Sequence, residues 1–517
     1  MILEGFLNQN KIINAIRISF PCCENKRPPL HTSYFLCYSY NSMAQDSNLK
    51  DPVKGTVSKG SVLLVTTLTS FLTPFMGSSV NIALPSIGQE FDMDAILLSW
   101  VATSYLLACT IFLLPFGRLA DIYGRKRVYQ WGVFLYIICS FFSAISNSAT
   151  MLLVSRISQG VAAAMIFGTG MAILTSVFPP GERGKVLGIN VAAVYLGLSL
   201  GPFLGGFLTQ QFGWRSIFIS IIPLGIIILL FTYWKLKREW AEAKGEKVDV
   251  IGTVIYSLMV IAIMVGFSLL PERWGILLVL LGLLGIWAFV KWENSTASPI
   301  LDIPLLANNK VFAFSNLAAL IHYSATFAVG FLLSLYLQYI KGLSPQQAGF
   351  ILVSQPVVMT LFSPFAGKVS DRIEPRIVAS AGMSFTVIGL FLFTFITADT
   401  GLYRIILTLA LLGFGFALFS SPNTNAVMSS VDKKLYGVAS ATLGTMRLTG
   451  NMLSMGIVTL LFSIYIGRVK VTPENALFFL RSVKVAFTIF AVLCFCGIFA
   501  SLSRGNLKGS LNPPNKI

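Results

Sequence analysis

A chain of 517 residues that is 55% hydrophobic and 11% charged, with a mean hydropathy of +0.76, cannot present the surface of a water-soluble domain, since such domains carry about a quarter charged residues. Its net charge of +17 does not point to nucleic acid, because the cations fall in short segments between apolar runs, where they orient a membrane protein. Seven cysteines supply neither a disulfide framework nor a metal-ligand spacing. Cys109, Cys139, Cys494 and Cys496 stand in apolar runs, where a thiol behaves as a small hydrophobe, and Cys22, Cys23 and Cys37 precede the first run. No cofactor, metal or nucleic-acid partner is expected, and no pairing of nucleophile with base suggests an enzyme.

Residues 1–58 read as a polar tail. They hold no run of spanning length and no signal peptide, because Glu4, Asn8, Asn10, Lys11 and Arg17 break the opening stretch. Residues 1–42 differ in character from the rest of the chain, and Met43 opens a short polar lead-in of the kind that precedes a first span, so Met43 is the expected start. Apolar runs then come at 61–84, 96–116, 128–147, 150–177, 186–208 and 216–234, at 250–270 and 275–290, and at 312–337, 346–366, 377–396, 403–427, 438–465 and 484–502. Each has about the length that a hydrocarbon core of roughly 30 Å requires. A basic linker, Lys235 to Lys247, precedes the seventh run, and only Pro271 to Trp274 joins it to the eighth, which makes those two a hairpin.

The expected architecture is an all-α polytopic membrane protein of fourteen spans. A first six-helix bundle occupies 59–235, a linker and inserted pair 236–310, a second six-helix bundle 311–503 and a tail 504–517. From Met43 onward, 24 Lys and Arg fall in the termini and the loops on their side, 8 in the opposite loops and two inside runs. That excess places both termini in the cytoplasm and suits a protein of the plasma membrane.

A tight basic connection, Gly117-Arg-Leu-Ala-Asp121-Ile-Tyr-Gly124-Arg125-Lys126-Arg127, lies between the second and third runs. Gly117 and Gly124 permit the turn, and Asp121 and Arg125, four apart, are spaced to pair. A weaker copy, Gly367-Lys-Val-Ser-Asp371-Arg372-Ile-Glu-Pro375-Arg376, lies between the tenth and eleventh runs. The two aspartates are 250 residues apart, and Gly188 and Gly437, each placed after a charged loop, are 249 apart. Internal repeats of this kind build many secondary transporters. The offset maps the last six runs onto the first six and leaves the seventh and eighth as the insertion.

The Gly117 to Arg127 stretch resembles the loop signature of the major facilitator superfamily, with Ile122 where that family usually has a basic residue. Fourteen spans with a central extra hairpin are similar to its EmrB/QacA-like drug:proton antiporter branch, over roughly residues 60–505. The resemblance implies the major facilitator fold and export of small amphipathic molecules by alternating access, in exchange for protons. It assigns the conformational switch to Gly117, Asp121, Gly124 and Arg125 and to the copy at Gly367, Asp371 and Arg372. Gly188, Gly197, Gly201, Pro202, Gly205 and Gly206 match at every position the motif that marks exporting antiporters. Read physically, Gly197, Gly201 and Gly205 form a small-residue stripe that lets another helix approach closely, and Pro202 bends the helix there.

Arg156 lies in a stretch, Leu153 to Gly160, that resembles the family motif whose arginine is linked to proton transfer. An arginine at mid-membrane costs at least about 2.5 kcal/mol and must face protein or water; nearer the end of a span it snorkels instead. None of the 21 acidic residues falls at the centre of a run. Met76 to Pro85 resembles the family's D-x-T-x-V-N-x-A-L-P, but Met76 stands in the place of the aspartate, so that carboxylate's coupling role does not carry over. The coupling candidates left are Arg156, His322 and Arg447. His322 is either hydrogen-bonded packing or, with its near-neutral titration, a proton carrier.

A desolvated cation needs a carboxylate beside it, and this interior is net positive. The expected substrate is therefore a neutral or anionic amphipath, with Arg447 or Arg156 as counter-charge. In the alternative, backbone carbonyls saturate both arginines, which then only join helices. Asn81, Gln355, Asn423 and Asn451, with Gln159, Asn190 and Asn425, either line a central cavity or tie helices together. Trp100, Tyr105, Tyr195 and Tyr323 are either packing or ligand contacts. The chain is expected to act as a monomer in the bilayer. Carriage of a metabolite or lipid-like molecule, or a receptor or scaffold role without transport, are the competing functions.

Overall fold

The computed structural model describes residues 58–505 except 242, 246–247, 297–298, 433–434 and 472–474. The expected start at Met43 and most of both tails lie outside the described residues. A helix stands over each of the fourteen apolar runs. The first half comprises α1 (Lys59–Glu90), α2 (Ala95–Tyr123), α3 (Arg125–Ala144), α4 (Ala149–Val177), α5 (Pro180–Phe212) and α6 (Arg215–Lys235). The inserted pair is α7 (Val250–Leu269) and α8 (Arg273–Glu293), and a short α9 (Ile303–Asn308) leads into the second half. There the ninth run is α10 (Lys310–Thr326), α11 (Ala328–Leu335) and a π-helix (Tyr336–Ile340), and the tenth is α12 (Pro345–Leu352) and α13 (Ser354–Arg372). The remainder are α14 (Pro375–Thr394), α15 (Leu402–Ser429), α16 (Tyr436–Tyr465) and α17 (Ala476–Ser503).

Among the described residues, thirteen helical segments are long and apolar enough to cross a membrane. The exception is α3, whose first turns carry Arg125, Lys126, Arg127 and Gln130. Side-chain caps set several helix starts: Asp94 accepts from the Leu97 amide at 2.7 Å, Asp249 from Gly252 at 2.8 Å, and Ser344 from Gln347 at 3.3 Å with Gln347 reciprocating. Two runs are interrupted. The Ala328 amide donates to Ser454 Oγ at 3.1 Å, where α10 gives way to α11. Pro356 has no amide to offer the Leu352 carbonyl, and α12 ends there.

Packing repeats with the sequence. In the first half α1 lies on α5, α4 on α2 and α3, and α6 on α3 and α1; in the second, α10 lies on α16, α15 on α13 and α14, and α17 on α14 and α10. The halves meet along two seams, α2 with α16 and α5 with α12 and α13, and α1 touches α11 between them. Exchanging the halves turns one seam into the other. The insertion breaks this symmetry: α7 packs on both α2 and α16, and α8 packs on α7. Only 17% of α8's apolar stretch is buried by the rest of the chain, against 72% for α2, which leaves α8 facing lipid.

Candidate functional site

The halves close on each other at one end and part toward the other. At the closed end, Ser334 Oγ donates to the Asn81 carbonyl at 2.7 Å, Gln338 to the Ile82 carbonyl at 3.0 Å, and the Ala95 amide to the Val469 carbonyl at 3.0 Å. The hydroxyls of Ser99 and Thr459 stand 2.9 Å apart. Glycines bring backbones together here: a Cβ on Gly206 would lie 2.5 Å from the Pro345 carbonyl oxygen, and one on Gly349 would collide with the Pro202 carbonyl. About two to three turns deeper, the Ser199 and Thr360 hydroxyls are 3.5 Å apart and Tyr195 donates to Ser420 Oγ at 3.1 Å. Deeper again, a Cβ on Gly444 would meet nothing nearer than Leu113 at 4.0 Å, and at Gly117, Gly188 and Gly437 it would meet nothing within 4 Å. Toward the end that carries the Asp121 and Asp371 connections these glycines face open space, which we read as a gap between the halves.

At the head of that gap, halfway along the helices, lies a polar and aromatic cluster from both halves. Tyr195 of α5 packs with Met359 of α13, Phe416 of α15 and Tyr323 of α10. Ser420 Oγ accepts from Tyr195 and stands 3.4 Å from the Tyr323 hydroxyl. Arg447 of α16, half-buried, donates from one terminal nitrogen to Thr424 Oγ1 at 2.6 Å and places its guanidinium 5.5 Å from the centre of the Tyr323 ring. Its Nε is enclosed without a hydrogen-bond partner, as is Oδ1 of Asn451, one turn further along α16.

The glycine stripe of α5 faces α1. A Cβ at Gly201 would come within 2.9 Å of the Phe75 carbonyl oxygen, and one at Gly205 within 2.8 Å of Ser79 Cα; Gly197 sits against the Phe71 carbonyl. Gly205 and Gly206 thus serve different partners, the first within its own half and the second across the seam.

At the open end Arg125 Nε donates to Asp121 at 2.7 Å and its guanidinium reaches Ser176 and the Ala172 carbonyl of α4. Gly124 starts α3 with φ +119°, a conformation that favours glycine. The basic linker folds back over this turn. The Trp240 carbonyl accepts from the Arg125 amide at 2.8 Å, the Ala243 amide donates to the Asp121 carbonyl at 3.0 Å, and Glu239 accepts from the Lys126 amide at 2.7 Å. A carboxylate at the first turn of α3 complements its exposed amides. Leu236 and Trp240 are buried in this clasp. In the second half Gly367 lies against Ser421, Arg372 is exposed at the end of α13, and of Asp371 the structure describes the backbone alone.

The sequence matches the Major Facilitator Superfamily over residues 66–301 and 315–515. The chain belongs to the major facilitator superfamily. It is 32% identical over 449 residues to the riboflavin transporter RibZ of Clostridioides difficile (strain 630), covering 85% of this chain and 96% of that one. The cephamycin export protein CmcT of Amycolatopsis lactamdurans is 30% identical over 399 residues, 75% of this chain and 82% of the relative. The multidrug resistance protein Stp of Mycobacterium tuberculosis (strain ATCC 25618 / H37Rv) is 28% identical over 401 residues, 76% and 74% respectively. In structure, a D-xylose-proton symporter matches with a TM-score of 0.59 at 16% identity, over 83% of this chain and 96% of that one, which speaks to the fold. Membership of this superfamily and the transporters among its relatives point to a multi-pass membrane transporter rather than an enzyme.

Several other residues singled out from the sequence are enclosed within one of the facilitator's halves. Arg156 is enclosed in the first half: its Nε donates to the Val101 carbonyl at 3.1 Å, it bonds Gln159, which in turn donates to Ser140, and it stacks 4.4 Å from the Tyr105 ring. His322 is fully buried inside the second half, 4.0 Å from the Phe419 ring, with Cys494 Sγ 3.9 Å from its Nδ1 and Nε2 unpartnered. Asn423 donates to the Ser315 carbonyl at 3.1 Å and accepts at 3.0 Å from Arg504, the first residue of the predicted tail, which is buried against Ser501. Asn81 and Gln355 are half-buried, and Asn190 accepts from Ser70 of α1 at 2.7 Å. Met76, in the place of the family aspartate, is fully buried in the apolar core. Sequence reasoning missed Ser420, Thr424, Phe416 and Met359, which carry no charge and look like any span interior, and the clasp of Glu239 and Trp240.

Proposed function

We propose that this transporter is a fourteen-span exporter of small amphipathic molecules, similar to the EmrB/QacA-like branch, working by alternating access with both termini in the cytoplasm and the gap open toward it. Two six-helix bundles, 59–235 and 311–503, rock about the Tyr195, Tyr323 and Arg447 cluster, and the Asp121 and Asp371 turns meet new partners when the gap closes. The observation that carries this reading is the graded separation of two repeat-related halves, sealed at Gly206 and Gly349 and open at Gly188 and Gly437. A cavity at mid-depth between repeats is where transporters of this build hold substrate. Relatives named for cephamycin export and multidrug resistance support the exporter direction. The drive is a transmembrane gradient, for which no carboxylate at the centre of a span stands ready.

A second reading, a carrier of a flavin-like metabolite, is favoured by the riboflavin transporter among the relatives. Inverted membrane vesicles loaded with the full chain and energised by an imposed proton gradient separate the two. Accumulation of neutral or anionic pyrene-based amphipaths supports the exporter; movement of riboflavin alone supports the metabolite carrier. No chain-dependent movement of any probe would leave a receptor or scaffold.

A further inference from the structure

Deep in the helices, Arg156 and Arg504 are satisfied by their own half. Arg156 has the Val101 carbonyl, Gln159 and the Tyr105 ring, and Arg504 has Ser501, Ser315 and Asn423. Arg447 is provided for differently. It has one neutral hydroxyl, a ring edge-on to Phe416, an enclosed Nε with nothing to bond, and no acidic partner among the described residues. A guanidinium held at mid-membrane against neutral groups is costly. An arriving anion would relieve that cost through charge-assisted hydrogen bonds. Asn451, four residues on, presents its amide on the same helix face, and its unpartnered oxygen accepts from an N–H or O–H, or, with the amide turned, its nitrogen donates.

We propose that Arg447 and Asn451 on α16, beside the rings of Tyr323, Phe416 and Tyr195 at the head of the gap, form the subsite for the acidic group of a flat, amphipathic organic anion. This rests on the proposed transporter function and narrows its substrate to an acid. The rings give the flat body a surface to pack on, Arg447 takes the carboxylate or equivalent oxygen, and Asn451 takes a polar group about one helical turn, ~5.4 Å, away. Tyr195 belongs to the other half, so a ligand spanning Arg447 and Tyr195 contacts both bundles and its affinity must differ between the two states, which is what moving it requires.

The test uses three fluorescent probes with one aromatic body and three charges: 1-pyrenebutyrate, 1-pyrenebutanol and a pyrenebutyl-trimethylammonium ion, titrated onto the full chain in nanodiscs. The anion is expected to bind about tenfold tighter than the alcohol, and the cation weakest. Arg447→Gln is expected to bring the anion-to-alcohol ratio to about one and Arg447→Lys to retain most of it, with thermal melting confirming that both fold. If Arg447→Gln fails to fold, Thr424→Val and Asn451→Leu report on the same ratio. An unchanged ratio in folded Arg447→Gln, or a wild-type preference for the cation, overturns the proposal. Energised vesicles that move the alcohol and cation but not the anion would also overturn it while leaving the transporter reading intact, whereas charge-selective binding without movement of any probe would sustain the subsite and remove the transport.

Discussion

At the α5 seam the halves meet backbone to backbone, Gly206 on Pro345 and Gly349 on Pro202; at the α2 seam they meet through side chains and a third helix. Ser99 pairs with Thr459 there, Trp100 Nε1 donates to Ser268 of α7 at 3.0 Å, and Tyr256 of α7 reaches the Thr110 carbonyl at 3.4 Å. The repeat makes the seams equivalent and the insertion makes them unlike. Beside the α5 seam an apolar cleft of about 330 Å³ remains, lined by Leu196, Phe203, Val357 and Leu361 among others; the other seam has α7 laid along it. One seam is thus closed at glycines. The other is closed by side chains and covered by α7.

The largest effect is expected from Gly349→Leu, which drives a side chain into the Pro202 carbonyl. Overpacking of ~1–3 kcal/mol at the closed end would shift the states by about 5- to 150-fold and abolish transport while the protein still inserts. Gly201→Leu acts alike against α1. Vesicle efflux and detergent gel filtration check both, and normal transport by either variant would show that close approach is dispensable. Next comes Asp121→Asn at the open end of the α2 seam, which removes the Arg125 ion pair. Turnover is expected to fall about tenfold with binding changed little, because the loss biases states rather than the ligand site; an equal loss in both, by efflux and by probe titration, points to misfolding. Glu239→Gln, weakening the contact to α3's first turn, should lower turnover by a few-fold in the same assays, in line with about 0.3–1 kcal/mol for charge at a helix start. The smallest effect is expected at the covered seam: Trp100→Phe loses one interhelical hydrogen bond worth ~0.6 kcal/mol, a slight drop in melting temperature with transport preserved. A loss of transport there would mean that the α7 cover takes part in the motion.

Much of this was legible from the sequence. Apolar run length located a helix at every span, and the 250-residue offset between Asp121 and Asp371 foretold the repeated packing of the halves. The Gly197, Gly201 and Gly205 stripe could be read because close approach demands glycine. Ser420 and Thr424 were not legible, since a hydroxyl in a span can equally bond its own helix, as Ser420's neighbour Thr424 also does through the Ser420 carbonyl. Neither were the separate surroundings of Arg156 and Arg447: both are lone cations in apolar runs, and only tertiary packing supplies Val101 to one and leaves the other's Nε bare. The break at Ala328 depends on Ser454, 126 residues away.

The clasp of the linker bears on where this gene can be divided. Glu239 is held to the Asp121 turn through its carboxylate, and Trp240 and Ala243 through main-chain hydrogen bonds, so a polypeptide ending after Ala243 carries its own latch. One ending at Lys235 would leave the latch on the second polypeptide, which would then have to find the turn in order to assemble. Co-expressed halves cut at these two points should therefore differ in how firmly they copurify, the earlier cut giving the tighter pair.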